Sequence, residues 1–361
     1  MNIWLLDKDF NNIMLIDQYE SFIWTDRYRE EGDFEIFAYP SQQYLENIKD
    51  NYYIWNADSE HLMIVEHREI KTAVEDGARF IVTGRSLESI LRRRVIYPQT
   101  TISGNLQNGI KKLLNDCFIN PEEIPVRKVS NFVFIESTDP EITKLTYEEQ
   151  YTGDNLYDIV TKVCEAFDIG FKLIYNFSLK RFEFSLYKGT NRSYDQEDNS
   201  YVIFSPRYEN IINSDWTHDI TELKNWTYVG GEGTGYDRII IPYYEDNHLS
   251  GLDMREMFTD ARDVGQKDDK GNEISQSDYL KLLSERGKKD LAEYKTKEGF
   301  EGEVEASKMF VYGKDFFLGD YLQVENSFGI TGKSLVSEIV FSQDKDGEYI
   351  YPTFLSLSKE D

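Results

Sequence analysis

The groups in this chain that could do chemistry are two cysteines, four histidines and a large excess of acids, 66 Asp and Glu against 40 Lys and Arg. Cys117 and Cys164 form neither a disulfide framework nor a zinc site. Both sit in helical patterns, and Cys164 lies beside an apolar stripe, which favours a buried thiol over a nucleophile. His61, His67, His218 and His248 make no HExxH or other ligand spacing, and His61 and His67 read as strand residues. A peptidase would need a Ser-His-Asp, Cys-His or HExxH constellation, and no local signature of one is present. A glycosidase needs two carboxylates about 5–10 Å apart in a cleft. In so acidic a chain, any such pairing in sequence is uninformative.

Three further stretches invite a ligand. Gly230, Gly231, Gly233 and Gly235 lie close together, as in phosphate-cradling loops. They match neither GxGxxG nor GxxxxGK[ST], and no helix-forming run follows, so a long hairpin loop is expected. Asp253, Arg255, Glu256, Asp260, Arg262 and Asp263 could offer carboxylates to a metal, but the interleaved signs favour a charge network. DKDG at 344–347 resembles part of a calcium loop. With Gly347 at the glycine position the end ligands would be Ser342 and Thr353, and aligning on Gly271 gives Gln266 and Ser277, so both fail and a hairpin turn is expected at 344–347. The expectation is therefore no catalytic, cofactor-binding or metal-ligating residue, no cofactor, and no enzyme activity.

The elements that would position these residues are mostly short strands. The chain has 361 residues, 40% hydrophobic and 14% aromatic, enough for two or three domains with real cores. Its net charge of −26 argues against gripping nucleic acid through phosphate neutralisation. No window approaches a membrane span of ~20 apolar residues, and MNIWLLDKDF has no basic leader region.

Residues 1–103 read as strands at close spacing, an antiparallel barrel-like unit. Within it Val82–Pro98 is the organising stretch. Gly84 is expected to supply turn freedom, Ser86 to cap a short helix, and Glu88 to sit at its positive end. Arg92, Arg93 and Arg94 serve as a C-terminal cap or as ion-pair donors at a subunit interface, with the cap preferred. Residues 104–205 read as α+β: a helix at Leu106–Leu114 capped by Ser103 or Asn105, an irregular stretch from Pro140 to Tyr151, then a helix from Thr152 or Asp154 to Gly170 and a hairpin, Phe171–Tyr175 with Arg181–Tyr187. Residues 206–250 and 300–361 read as a second barrel-like unit, with strands at Thr217–Val229 and Arg238–Tyr244, Gln266–Glu273 as an exposed loop, and 251–299 as a charged, helical insertion. The fold class expected is α+β, β-rich, with two small antiparallel barrel-like domains around an α+β domain. Loops at 98–104, 230–236 and 264–275 are candidate contact regions on grounds of exposure.

Several stretches, in order, resemble the tail-tip or baseplate hub of long-tailed phages, the siphophage tail-associated protein family. They are Gly32-Asp33-Phe34-Glu35-Ile36, Gly84-Arg85-Ser86-Leu87 with Leu91-Arg92-Arg93-Arg94, and Thr152-Gly153-Asp154-Asn155-Leu156. Further along come Gly230-Gly231-Glu232-Gly233 with Asp237-Arg238, Leu318-Gly319-Asp320-Tyr321, and Pro352-Thr353-Phe354. The resemblance implies a homotrimer whose two tube domains per subunit continue the tail tube in a pseudo-sixfold ring. It implies contact with the distal tail protein and the tape-measure protein, with tail-fibre or cell-wall-binding proteins as further partners. DNA would pass through the lumen without specific binding, in a virion assembled in the host cytoplasm. Relatives often carry a C-terminal extension acting on cell wall, and the end at Asp361 leads to the expectation that this activity is absent or separate. The competing readings are a cell-wall-directed hydrolase and a carbohydrate-binding module, the latter drawn from the abundant Trp and Tyr.

Overall fold

A computed structural model of the chain describes residues 1–73, 77–267, 271–304 and 309–356. The Asp-Gly turn expected at Glu75-Asp76-Gly77 falls largely on Glu75 and Asp76, outside the described residues. Asp268, Asp269 and Lys270 of the expected 266–273 loop and Leu357 of the last strand also lie outside them.

The elements run β1 (Ile3–Leu6), β2 (Asn12–Ile16), β3 (Ser21–Arg27), β4 (Asp33–Ala38), α1 (Gln42–Asn47), β5 (Tyr53–Asn56), β6 (Leu62–Ala73) and β7 (Gly77–Ser86). A 3-10 segment, Leu87–Arg93, leads to β8 (Thr100–Asn105), α2 (Leu106–Leu114), β9 (Phe132–Ile135), α3 (Pro140–Thr143), β10 (Thr146–Tyr151), α4 (Leu156–Ala166), β11 (Gly170–Asn176) and β12 (Arg181–Tyr187). Then come β13 (Ile203–Phe204), β14 (Ile211–Asp219), β15 (Trp226–Gly230), β16 (Ile240–Tyr244), β17 (Glu256–Asp260), α5 (Gln276–Ala292) and β18 (Lys297–Val304). The last three are β19 (Tyr321–Glu325), β20 (Thr331–Asp344) and β21 (Gly347–Ser356).

The fold is α+β and β-rich, but the two separate barrels expected from the sequence are not seen. Strands from both ends of the chain form one eleven-stranded sheet, ordered β13-β19-β20-β3-β4-β7-β6-β5-β1-β2 with β21 on β20, and among the described residues it does not close. The seam is β3 against β20, antiparallel, with Thr25 opposite Val340. Period-two alternation sends Phe22, Trp24, Phe34, Ile36, Phe80, Val82, Ile339 and Phe341 into one shared core. Each fully buried side chain of this size contributes roughly 1.5–3 kcal/mol, so a single continuous core holds the two ends together. On the opposite face Arg27 bridges the seam, its Nε 2.6 Å from Glu338 and its guanidinium also paired with Asp33.

The central segment packs a second core. The side chain of Asn105 accepts from the Asn108 N–H at 3.2 Å and caps α2. The cap of α4 is Asn155, which accepts from the Tyr157 N–H at 3.0 Å, rather than Thr152 or Asp154. That helix ends at Ala166, and Gly170 opens β11 instead. The expected hairpin forms as β11–β12, with Phe171 opposite Leu186, and takes β9 as a parallel neighbour. The stretch Pro140–Tyr151 is not irregular: it holds α3 and then β10, which pairs along its length with β8.

The expected strand Thr217–Val229 is broken, because β14 ends at Asp219 and β15 begins at Trp226. The stretch 251–299 is knitted into its surroundings: β17 runs parallel to β15, opposite β16, and α5 covers one face of these three strands. Gly287 allows that approach, since a Cβ there would stand 2.7 Å from Val229 Cγ2.

Candidate functional site

The first three of the ordered motifs meet in space. Gly32 and Ser86 clasp one another: the Gly32 N–H donates to Ser86 Oγ at 2.8 Å and the Ser86 N–H to Gly32 O at 2.9 Å. Ser86 therefore does not cap the segment that follows. Gly84 lies within β7 and supplies no turn. A Cβ at Gly84 would fall 1.7 Å from Ile64 O, beside a bulge where β6 shifts register between Val65 and His67. Here glycine serves close backbone approach.

The third motif closes on the same segment. Gly153 N–H donates to Ile96 O at 2.9 Å, Ile96 N–H to Asp154 O at 2.9 Å, and Leu156 N–H to Arg94 O at 3.0 Å. The arginine run divides its work within the chain. Arg92 lies 3.7 Å over the Tyr157 ring and 2.7 Å from Glu31. Arg93 approaches Glu66 at 3.7 Å, and Arg94 donates to the carbonyls of Cys117 and Arg127 at 3.1 and 3.2 Å. A cleft of about 540 Å³ opens beside this junction, lined by Arg85, Arg92, Glu31 and Asp158 among others. These four charges pair with one another.

The fourth junction joins β19 to the centre. Asp320 is buried and accepts from Thr190 N–H at 2.7 Å, Arg192 Nε at 2.8 Å and Phe317 N–H at 3.0 Å. The Tyr321 hydroxyl donates to Asp168, which also pairs with Arg29.

Glu88 stands in the first turn of the 3-10 segment, as expected, and its side chain is buried. It is 1% exposed, lies 3.0 Å from His61 Nδ1 and accepts from the Leu173 N–H at 2.8 Å. His61 lies just outside β6 and is buried, with Asp26 held nearby by Ser59 and Trp24. Burial opposes charge on His61, but the carboxylates of Glu88 and Asp26 outweigh it and raise the imidazole to about 10. Burial likewise opposes the Glu88 carboxylate, yet His61 and the Leu173 N–H hold it below its ordinary value. Burial raises Asp26. All three side chains are buried.

The remaining chemical candidates are placed as follows. Cys117 and Cys164 are buried, and desolvation pushes their thiols up to about 11 and about 12. His67 is exposed on β6, His218 stacks on Trp216 and His248 lies in a loop. Among the described residues no three His, Cys, Asp or Glu side chains are grouped to hold a metal. No described helix is long and apolar enough to cross a membrane. The glycine loop turns carbonyls inward: Arg238 donates to Gly231 O and Gly230 O at 2.8 and 2.6 Å, and Tyr279 takes the Glu232 N–H. A phosphate would meet carbonyls there. Asp260 pairs with Arg238 and Arg262, and Asp263 with Arg286. DKDG is the hairpin turn between β20 and β21.

Sequence reasoning missed one buried charge lock. Glu149 on β10 is fully buried and accepts from Arg286 Nε and Nη2 at 3.3 Å and from Lys289 Nζ at 3.1 Å, both on α5. Arg286 also reaches Asp263 at 2.6 Å. The lock fastens α5 to the central segment. Its only sequence signal is the acid set between Tyr147 and Tyr151 in TYEEQY.

Known proteins place this architecture. No curated protein matches the chain. The tail protein gp18 of a Listeria monocytogenes EGD-e prophage superposes with TM-score 0.54 at 12% identity, over 100% of this chain and 96% of that one. The tail protein from Neisseria meningitidis MC58 gives 0.58 at 12% identity, over 99% and 96%. The 43 kDa tail protein of prophage MuSo2 from Shewanella oneidensis gives 0.59 at 12% identity, over 99% and 98%. At such identity these likenesses establish the fold. The family profile of the Siphovirus ReqiPepy6 Gp37-like proteins matches residues 1–354, and the chain belongs to that phage tail protein family.

Proposed function

We propose that the chain is a structural subunit of a siphophage tail tip, a homotrimeric baseplate hub that continues or closes the tail tube. The observation that carries this reading is the fold shared along essentially the whole length with three tail proteins. The strands of 1–103 and 300–361, joined at the β3–β20 seam, serve as the wall of the tube. The segments 104–205, 206–250 and 251–299 brace it. A net charge of −26 per subunit lets DNA pass without adhering, because phosphate binding needs cations and an acidic wall repels. The distal tail protein lies above and the tape-measure protein within. Tail-fibre or cell-wall-binding proteins attach outside. The subunit works in the virion after assembly in the host cytoplasm and catalyses nothing.

Electron microscopy of the purified protein tests this. End-on views with threefold symmetry and a central opening or plug are expected. Asymmetric single-chain particles, alone and with the distal tail protein, would refute it.

A further inference from the structure

The three-stranded sheet β16-β15-β17 has two very different faces. One packs on α5 through Val229, Thr227 and Thr259, all buried. The other is open to solvent. Register places Tyr244, Trp226 and Glu256 in one row across the strands, Pro242, Tyr228 and Phe258 in the next, and Ile240, Gly230 and Asp260 in the third. Tyr228 is 37% exposed and Phe258 49%. Trp226 and Tyr244 stack at 4.1 Å, nearly parallel, so their rings share one orientation. At the third row Gly230 leaves the surface low, and the Arg238 guanidinium fills that floor, 5.2 Å from the Phe258 ring. The β17 margin is polar: Glu256 accepts from the Tyr228 hydroxyl at 3.2 Å, and Asp260 is exposed beside Arg238.

We infer that this open face is a saccharide-binding platform for a neutral, hydroxyl-rich glycan. A patch of a few hundred Å² is often functional, and its size selects the occupant. Three strands about 4.8 Å apart and three rows about 6.8 Å apart give on the order of 300 Å². A stable protein interface needs roughly 800 Å² from each partner. The patch falls well short of that and suits a short stretch of ligand. The chemistry matches a sugar ring. The negative face of an aromatic ring attracts the partly positive C–H groups of a pyranose. The carboxylates of Glu256 and Asp260 at one margin accept from hydroxyls. The same carboxylates, in a chain of charge −26, disfavour a polyanion. The inference requires only that this face stays free of other copies of the chain.

Isothermal titration calorimetry of the full chain with soluble glucose and N-acetylglucosamine hexasaccharides, and heparin as a polyanion control, tests it. The expected result is heat with at least one neutral hexasaccharide and none with heparin. Phe258→Ala and Tyr228→Ala should each weaken that binding about tenfold, with solution mass and melting temperature unchanged. Ile240→Ser, at the opposite edge, is a second variant should either alanine variant misfold. No heat with any neutral saccharide at ~10 mM, a concentration that detects Kd values of order 1 mM, would overturn the inference. So would binding that all three variants retain. A change of solution mass in the variants would also overturn it, since the face would then be an interface between copies.

Discussion

Replacing Glu149 by alanine tests the charge lock between β10 and α5. In the native chain Glu149 is wholly buried and serves both Arg286 and Lys289. After truncation Arg286 keeps Asp263, with contacts of 2.6 and 3.1 Å. Lys289, 8% exposed, pairs with no other carboxylate among the described residues and keeps only the Tyr151 ring at 5.4 Å. Leaving one buried cation uncompensated costs about 3–5 kcal/mol. At about 2 °C per kcal/mol for a chain of this size, the melting temperature falls by at least about 6 °C. Amide exchange should accelerate first in 276–292, because α5 loses its anchor. Glu149→Leu combined with Lys289→Met removes both charges and should recover most of the loss. If Glu149→Ala melts within about 1 °C of the native protein and α5 exchanges normally, the lock does not stabilise the fold and the reasoning fails.

Three further outcomes are expected. The imidazole of His61 is raised to about 10 in the fold against about 6.5 unfolded. Its contribution is therefore complete below pH 6.5 and lost as pH climbs through about 10, so the stability gap between native protein and His61→Gln in urea melts should narrow across that window; a gap constant from pH 6 to 10 would refute the pairing. Gly84→Ala forces a Cβ to within 1.7 Å of a backbone carbonyl and should cost about 3 kcal/mol by denaturant titration, whereas turn freedom alone would cost about 1 kcal/mol. Cys117 and Cys164, with thiols at about 11 and about 12, should resist iodoacetamide at pH 8 until the chain is unfolded, which mass spectrometry reads directly.

Local elements were legible in the sequence because their signals are local. The stripe Leu156, Ile159, Val160, Val163 and the alternation Phe182, Phe184, Leu186 each dictate an element without reference to the rest of the chain. The β3–β20 seam was not legible. Alternation says that a strand has a buried face but not which strand lies beside it, and Arg27 meets Glu338 across 311 residues. Two β-rich ends therefore read as two barrels. β10 read as irregular because its inward positions are Tyr147, Glu149 and Tyr151, and a charge at an inward position breaks the apolar pattern until Arg286 is known to face it. Gly84 was misread for a related reason: a glycine needed for close approach looks in sequence like one needed for a turn. The motifs behind the hub resemblance were visible as words. Their mutual contacts, Gly32 with Ser86 and Leu156 with Arg94, appear only in three dimensions.

The hub account rests most directly on how many chains assemble. Light scattering across a range of protein concentrations measures it, alone and with the distal tail protein. The account predicts three copies of the 42.4 kDa chain per particle, a mass near three times 42.4 kDa for the chain alone. A strict monomer at every concentration and in both conditions would contradict it.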